Sequence, residues 1–297
     1  MHIPVLLQST IEGLHLQKGE TVLDATLGLG GHSKAICEQI GPTGTLIGLD
    51  QDSQTLLLAR QNLEACPAKK LLEVGNFRRL DEILAKLSVS AVDAVLFDLG
   101  FSSFQMDESG RGFTFQKDEP LVMTLGSQIN SEVLTAGEIV NTWSEESLAD
   151  IIYGYGEERA SRKIAAAIVV ARKLTEIKTT FQLAEIVKKA LGARGRFGRI
   201  HPATKTFQAL RITVNDELGA LKEGLAVAWN NLSFGGRIAV ISFHGLEARV
   251  VKDFIRFKKE QGELELLTKK VIKPERSEVL ANPRSRSAQL RIFKKIS

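Results

Sequence analysis

LDATLGLGGHS, residues Leu23 to Ser33, places Gly28, Gly30 and Gly31 within four positions directly after an apolar run. Glycines crowded at the end of a strand mark a turn where the backbone of the next helix comes close to a ligand. A dinucleotide fingerprint would need a third glycine at position 33, where Ser33 stands, and a P-loop would need Gly-Lys-Ser/Thr. The loop alone therefore leaves a phosphate, a dinucleotide and a nucleoside without phosphate as candidate ligands.

Outward from this loop, four apolar runs recur in the first hundred residues: Thr21 to Ala25, Leu46 to Asp50, Leu71 to Val74 and Ala94 to Leu99. Helix-like stretches separate them, with Ser33 to Ile40 stopped by Gly41-Pro42 and Ser53 to Leu63 capped by Asp52 or Ser53. That rhythm predicts βαβ units and a parallel sheet. After Asp98 it stops, and the next parallel-type strand is Gly236 to Phe243. The intervening chain reads as helical at Ser144 to Ile152, Glu157 to Leu174 and Thr179 to Leu191, with Trp143, Tyr153 and Tyr155 as core residues. Phe207, Leu210, Val214, Leu218, Leu221 and Leu225 predict one long amphipathic helix. Leu264 to Val271 and Ala288 to Phe293 read as two antiparallel strands closing the sheet edge.

Three acids narrow the ligand. Asp24 ends the first strand, where it would repel a pyrophosphate but help hold a cationic amine. Asp50 ends the second strand, where a carboxylate can accept both ribose hydroxyls of an adenosine, in NAD or in S-adenosylmethionine alike. Asp98 ends the fourth. Three carboxylates in one crevice repel each other unless cationic or hydrogen-bonding groups sit among them. A sulfonium nucleoside answers this set better than a phosphate ligand does.

The chain has 297 residues, 43% hydrophobic and 25% charged, enough for one large domain and a smaller one. The apolar run Ile3 to Leu7 is interrupted by Pro4 and is too short for a signal peptide or a membrane span, so a soluble protein is expected. Cys37 and Cys66 form no CxxC pattern and lie in or beside expected helices; no disulfide is expected, and a reducing cytoplasm fits. The five histidines show no HxH or HExxH spacing, which predicts no metal site. A net charge of +4 suits a polyanionic partner. Basic residues gather around Phe197 in GARGRFGRIHPATK (Arg194, Arg196, Arg199, Lys205) and again in NPRSRSAQLRIFKK. Such segments suit phosphate contacts and base stacking, or equally a solvated loop.

The blocks HIPVLL, DATLGLGGHS, GLDQD, FDLGFSSFQMD, RGFTF, YGEER, HPATKTFQALRITVNDEL, GGRIAVISFHGLE and NPRSRSAQLRI follow one another along nearly the whole chain. Together they resemble the bacterial 16S ribosomal RNA (cytosine-N4)-methyltransferase H family, and the HPAT and NPRSRS segments are specific to it. The resemblance implies an α/β fold of the class I S-adenosylmethionine-dependent methyltransferases, Rossmann-like, with a mostly parallel sheet and an antiparallel edge. It implies a methyltransferase domain over 1–103 and 201–297 and an inserted helical substrate-recognition domain over 104–200. The implied cofactor is S-adenosyl-L-methionine, with Gly30, Gly31 and His32 lining it, Asp50 at its ribose, Phe77 beside its adenine, and Asp98 and Gln105 completing the set. The implied reaction is N4-methylation of a decoding-centre cytidine, with 16S rRNA in the small ribosomal subunit as partner and no membrane; a homodimer is compatible. Departures from the family pattern stand at Phe101, Phe104, Glu119, Val122, Gly245 and Ala248.

Cytosine N4 is a poor nucleophile because its lone pair is delocalised into the ring. Asp98 and the adjoining Leu99 to Ser103 turn are placed to accept an N4 hydrogen, and Phe101 or Phe104 to stack on an extruded base or to pack internally. A methyltransferase acting on another RNA or on a small molecule, an NAD-dependent dehydrogenase and a non-catalytic RNA-binding protein are the competing readings.

Overall fold

The computed structural model describes residues 4–127, 133–192 and 201–297. The expected basic residues Arg194, Arg196 and Arg199, with Phe197, lie outside the described residues. Two compact units emerge, Met1–Ser102 with Leu218–Ser297, and Ser103–Glu217.

The first unit is built on seven strands: β1 (Thr21–Asp24), β2 (Thr45–Asp50), β3 (Lys69–Val74), β4 (Val92–Asp98), β5 (Leu232–Ser242), β6 (Leu264–Leu266) and β7 (Gln289–Lys295). Their order is β3-β2-β1-β4-β5-β7-β6. Strands β1 to β5 pair in parallel, and β7 runs antiparallel to both β5 and β6. Successive side chains point to opposite faces of a strand. Val22, Leu46 and Leu96 accordingly enter one core with Leu14, Ile36 and Leu63, while Leu23, Ile47 and Phe97 enter the other with Leu84, Leu225 and Trp229. Cover on both faces is why these strands read as continuous apolar runs rather than alternating ones. The strand order reverses between β1 and β4, and in open α/β sheets ligands settle at the carboxyl ends of strands flanking such a reversal.

Three helices open this unit, and one of them starts on a side-chain cap. Helix α1 covers Leu7–Leu14, α2 Gly31–Ile40 and α3 Ser53–Asn62. Asp52 caps α3 by accepting from the Gln54 amide at 2.9 Å. Cys37, buried in α2, and Cys66, just beyond α3, are joined by a disulfide across Cα atoms 5.8 Å apart. This corrects the expectation of two free thiols. Helical periodicity puts each cysteine on an element but is silent on which elements share a core, and both belong to the α1-side cluster.

In the second unit the chain forms α5 (Ser103–Asp107), α6 (Ala136–Thr142), α7 (Glu145–Gly154), α8 (Ser161–Leu174), α9 (Thr180–Leu191) and α10 (Thr204–Asn215), with α4 (Leu80–Lys86) belonging to the first. Ser144 and Thr179 cap α7 and α9 through their side chains. The single long helix expected through Phe207 and Leu225 is two helices, α10 and α11 (Glu217–Asn230), broken at Asp216, whose φ of 44° is left-handed. Asn215, at the end of α10, accepts from the Leu125 amide and donates to the Met123 carbonyl. These bonds tie α10 to the second unit, so the chain crosses back after Glu217 rather than near residue 201. Tyr153, expected in the core, is 64% exposed, and Trp143 and Tyr155 are only half-buried. Glu119 is buried and accepts from the Gly112 amide at 2.9 Å, a scaffold role within this unit. No described helix is long and apolar enough to cross a membrane.

Candidate functional site

The loop after β1 shows what each of its residues does. Gly28 and Gly30 have φ of 51° and 82°, a left-handed turn that side chains with a Cβ rarely adopt. A Cβ on Gly30 would lie 3.1 Å from Leu63, and one on Gly31 would lie 2.5 Å from the Pro4 ring. At Gly30 and Gly31 the space that a Cβ would take is filled by the protein's own side chains. Around Gly28 the nearest atom to an added Cβ is 3.9 Å away, so that is the position where the backbone stays open.

Ser33 stands at the missing third glycine because its hydroxyl donates to Asp24 Oδ2 at 2.7 Å. Asp24 Oδ1 accepts from the Thr26 amide, and the residue is 1% exposed. Asp24 is therefore an internal brace between β1 and α2 rather than an open rim carboxylate. Burial pushes its carboxyl up to about 6, against the opposing pull of the Ser33 and Thr26 hydrogen bonds.

Asp50 ends β2 at the rim. Its Oδ2 accepts from the Gly28 amide at 2.9 Å and its Oδ1 from the Asp52 amide at 2.8 Å. Each carboxylate oxygen keeps a second lone pair, enough to accept from two vicinal hydroxyls. Burial raises this carboxyl to about 6 too, with the charges of Asp52 and Asp24 adding to the effect. Beyond β3, Asn76 donates to the Gln51 side chain and accepts from the Arg78 amide. This fixes the turn that carries Phe77, half-buried and edge-on to Phe97 with ring centroids 5.4 Å apart. A Cβ on Gly224 would reach 2.4 Å from the Phe77 ring, so the ring is backed by bare helix backbone.

Asp98 closes β4, with its amide donating to Thr26 Oγ1. Its Oδ2 lies 3.4 Å from His32 Nδ1, and its Oδ1 is buried with no hydrogen-bond partner among the described residues. His32 Nε2 lies 3.0 Å from the Val5 carbonyl oxygen. A carbonyl can only accept, so that nitrogen carries a proton and Nδ1 is the ring atom that faces Asp98. Burial, joined by the charges of Asp24 and Glu247, holds the Asp98 carboxyl well above the usual carboxylate range.

Glu247 was not among the expected site residues. It sits in the first turn of α12 (Gly245–Glu260), accepts from the Phe243 and His244 amides, and pairs with His244 at 3.1 Å. The sequence signal is the His-x-x-Glu spacing in HGLE, a capping box with histidine in the serine position.

The structure thus brings Gly30, Gly31, His32, Asp50, Phe77 and Asp98 to one edge of the sheet, at the carboxyl ends of β1 to β4. Gln105 lies in the second unit on α5, buried, donating to the Leu125 carbonyl at 3.2 Å. His201 of the HPAT segment, also in that unit, stacks on Phe115 with centroids 4.3 Å apart.

These residues fit a cationic nucleoside. A carboxylate with free lone pairs ends β2, a half-buried aromatic ring follows β3, and an acid with a buried oxygen that has no partner among the described residues ends β4. An unsatisfied buried acceptor costs about 1–3 kcal/mol, which a donor or cation brought by a ligand offsets.

Comparison with known proteins places these features in a family. The model described as the MraW methylase family matches residues 1–296. A protein named ribosomal RNA small subunit methyltransferase H from Acidobacterium capsulatum is 46% identical, over 99% of this chain and 98% of its own length. One of the same name from Koribacter versatilis is 47% identical, over 98% of this chain and 92% of its own. A solved structure described as an rRNA methylase from Streptococcus thermophilus aligns over 100% of both chains at 11% identity, with a TM-score of 0.48.

Proposed function

The chain belongs to the MraW methylase family, and on that footing we propose that it methylates N4 of a decoding-centre (P-site) cytidine in 16S small-subunit rRNA, using S-adenosyl-L-methionine. The observation that supports this most directly is Asp98, a strand-end acid with raised proton affinity, one oxygen towards His32 and the other unpartnered.

Transfer forms an N–C bond and breaks a C–S bond, leaving a neutral thioether, and N4 must lose one proton. When bound, the cofactor supplies a methyl group on a cationic sulfonium. Asp50 holds the ribose through its spare lone pairs, Phe77 walls the adenine, and the turn at Gly28 gives the nucleoside access to backbone. Asp98 as carboxylate accepts a hydrogen bond from N4, which localises the nitrogen lone pair and offsets the positive charge that grows there, and it takes up the N4 proton once the N–C bond has formed. His32 holds the second Asp98 oxygen in place. Alignment of N4 with the methyl carbon supplies the largest share of the rate, since positioning alone contributes up to roughly 7–11 kcal/mol.

The target base leaves its stack to reach the methyl group. We assign substrate recognition to the Ser103–Glu217 unit, with Phe104 as a stacking face, Gln105 as a further cofactor contact, and the segment around Arg196 as an RNA contact. The small ribosomal subunit is the proposed substrate particle, the cytoplasm the proposed location, and a homodimer is compatible with this reading.

The test is incubation with labelled S-adenosyl-L-methionine and small subunits lacking the modification, followed by nucleoside analysis. N4-methylcytidine at one decoding-centre position is expected. Label in another nucleoside, or only in small molecules, overturns the assignment.

A further inference from the structure

Residues 268–297 carry nine lysines and arginines against two glutamates, a formal +7, so with +4 for the whole chain the other 267 residues sum to −3. The basic excess of this protein is therefore a property of its last thirty residues, and the fold decides where they sit. Asp98 is in register with Ile241 on β5, and Ile241 with Leu290 on β7. Because β7 is antiparallel, its first residue, Gln289, lies at the same edge of the sheet as Asp98. Two strand spacings separate them, about 10 Å.

The segment leading into Gln289 is a built turn. In Pro283–Ser287 the Ser285 amide and hydroxyl both donate to the Asn282 carbonyl, at 3.0 and 2.8 Å, and the Ala288 amide returns to the Ser285 carbonyl at 2.8 Å. Ser285 is fully buried, while Arg284 and Arg286 on either side of it are exposed. The preceding helix, α13 (Arg276–Ala281), is fastened to the site through Glu278, whose Oε1 accepts from the Leu6 amide at 2.7 Å. Leu6 follows Val5, the residue that holds His32. Ile272 bridges Leu290 by two backbone hydrogen bonds, which brings exposed Lys273 alongside Gln289.

We propose that the Arg284–Arg286 turn, with Lys273, is a phosphate clamp for the single-stranded RNA flanking the base presented to Asp98. The inference rests on the RNA-methylating reading above and adds where the backbone of that RNA is gripped. The chemistry follows from the geometry. Two guanidiniums on a rigid turn match phosphate oxygens with paired N–H donors, and their place beside the reacting carboxylate suits the sugar-phosphate chain next to an extruded nucleotide rather than a base edge.

The experiment compares methylation of undermethylated small subunits by the wild type, by Arg284→Ala/Arg286→Ala, and by Lys294→Ala, a basic residue at the opposite end of β7. Binding to single-stranded RNA changes with salt by about 0.7 log units per log unit for each phosphate contact. The double variant is expected to lower the salt slope of RNA KM by about 1.4 and to raise KM at low salt at least tenfold, leaving kcat at saturating RNA and cofactor affinity unchanged. Lys294→Ala is expected to match the wild type. An active wild type with an unaltered slope in the double variant overturns the clamp alone. A wild type that methylates no RNA overturns the RNA reading and the clamp with it. If the double variant fails to bind cofactor, Arg284→Gln and Arg286→Gln are measured singly, each expected to lower the slope by about 0.7; no change in either overturns the clamp.

Discussion

Replacing Asp24 by asparagine isolates the energetic cost of placing a carboxylate under the glycine turn. Asparagine has the same shape; its Oδ1 keeps an acceptor for the Thr26 amide, its Nδ2 replaces Oδ2 and donates to the Ser33 hydroxyl, and it cannot ionise. In the folded chain burial lifts the Asp24 carboxyl from 3.8 to about 6. Between those values the native state retains a proton that the unfolded chain has released, so stability falls as pH rises through this window and is lowest above it. At 1.36 kcal/mol per pH unit the shift amounts to about 3 kcal/mol by pH 7.5, of which about 1 kcal/mol is already present at pH 4.5. The stability of Asp24→Asn relative to the wild type should therefore improve by about 2 kcal/mol between pH 4.5 and pH 7.5. Urea midpoints at matched pH, without cofactor, give this difference, and any constant loss from altered hydrogen bonds cancels out. A difference that is flat with pH, or that grows in the opposite direction, refutes burial as the dominant influence on Asp24.

Three further outcomes follow from particular contacts. Gly31→Ala should destabilise by about 1–3 kcal/mol through the clash with the Pro4 ring, and Pro4→Ala should restore most of that loss in a double-mutant cycle; a neutral Gly31→Ala with weakened cofactor binding would show that the glycine serves the ligand instead. Asp98→Asn preserves shape but removes the proton acceptor, so kcat should fall about 10²–10³-fold while cofactor affinity changes less than tenfold; a kcat within threefold of wild type in single-turnover assays contradicts the role given to Asp98. Cys37→Ala/Cys66→Ala should lower stability by about 3–4 kcal/mol, the loop-closure value for a separation of 29 residues, with no reductant sensitivity remaining; a wild type insensitive to reductant would argue against the bridge.

The parallel sheet was legible because its strands are covered on both faces and so appear as unbroken apolar runs. The helix starts at Ser53, Ser144 and Thr179 were legible because capping chemistry is local. What escaped was set by contacts distant in sequence. The spacing from Phe207 to Leu225 continues undisturbed through Asp216, and only the bonds from Asn215 to Met123 and Leu125 show why the helix breaks there. The strand-end positions of Asp50 and Asp98 could be inferred from the apolar runs they close, whereas the burial of Asp24 could not, because it depends on Ser33 turning inward. At Gly31 the sequence records that a Cβ is excluded, but not that the Pro4 ring lies where it would go. The cysteine pair was missed for the same reason: two helices had to be known to share a core.

The hydrogen bond from Leu6 to Glu278 joins residues 272 positions apart. During synthesis at roughly 5–20 residues per second, Leu6 is made about 14–54 s before Glu278. Through that interval the strip Pro4–Leu6 lacks its distal anchor, while the strands β1 to β4 it borders are already complete. The nascent chain can therefore assemble most of its nucleoside pocket early, yet the strap that seats His32 against Asp98 locks only at the end. Protease sensitivity near residues 4–6 should accordingly persist in ribosome-bound chains halted before Glu278 and vanish in those halted well beyond it, giving this enzyme a built-in order of maturation in which the contact between His32 and Asp98 is seated last.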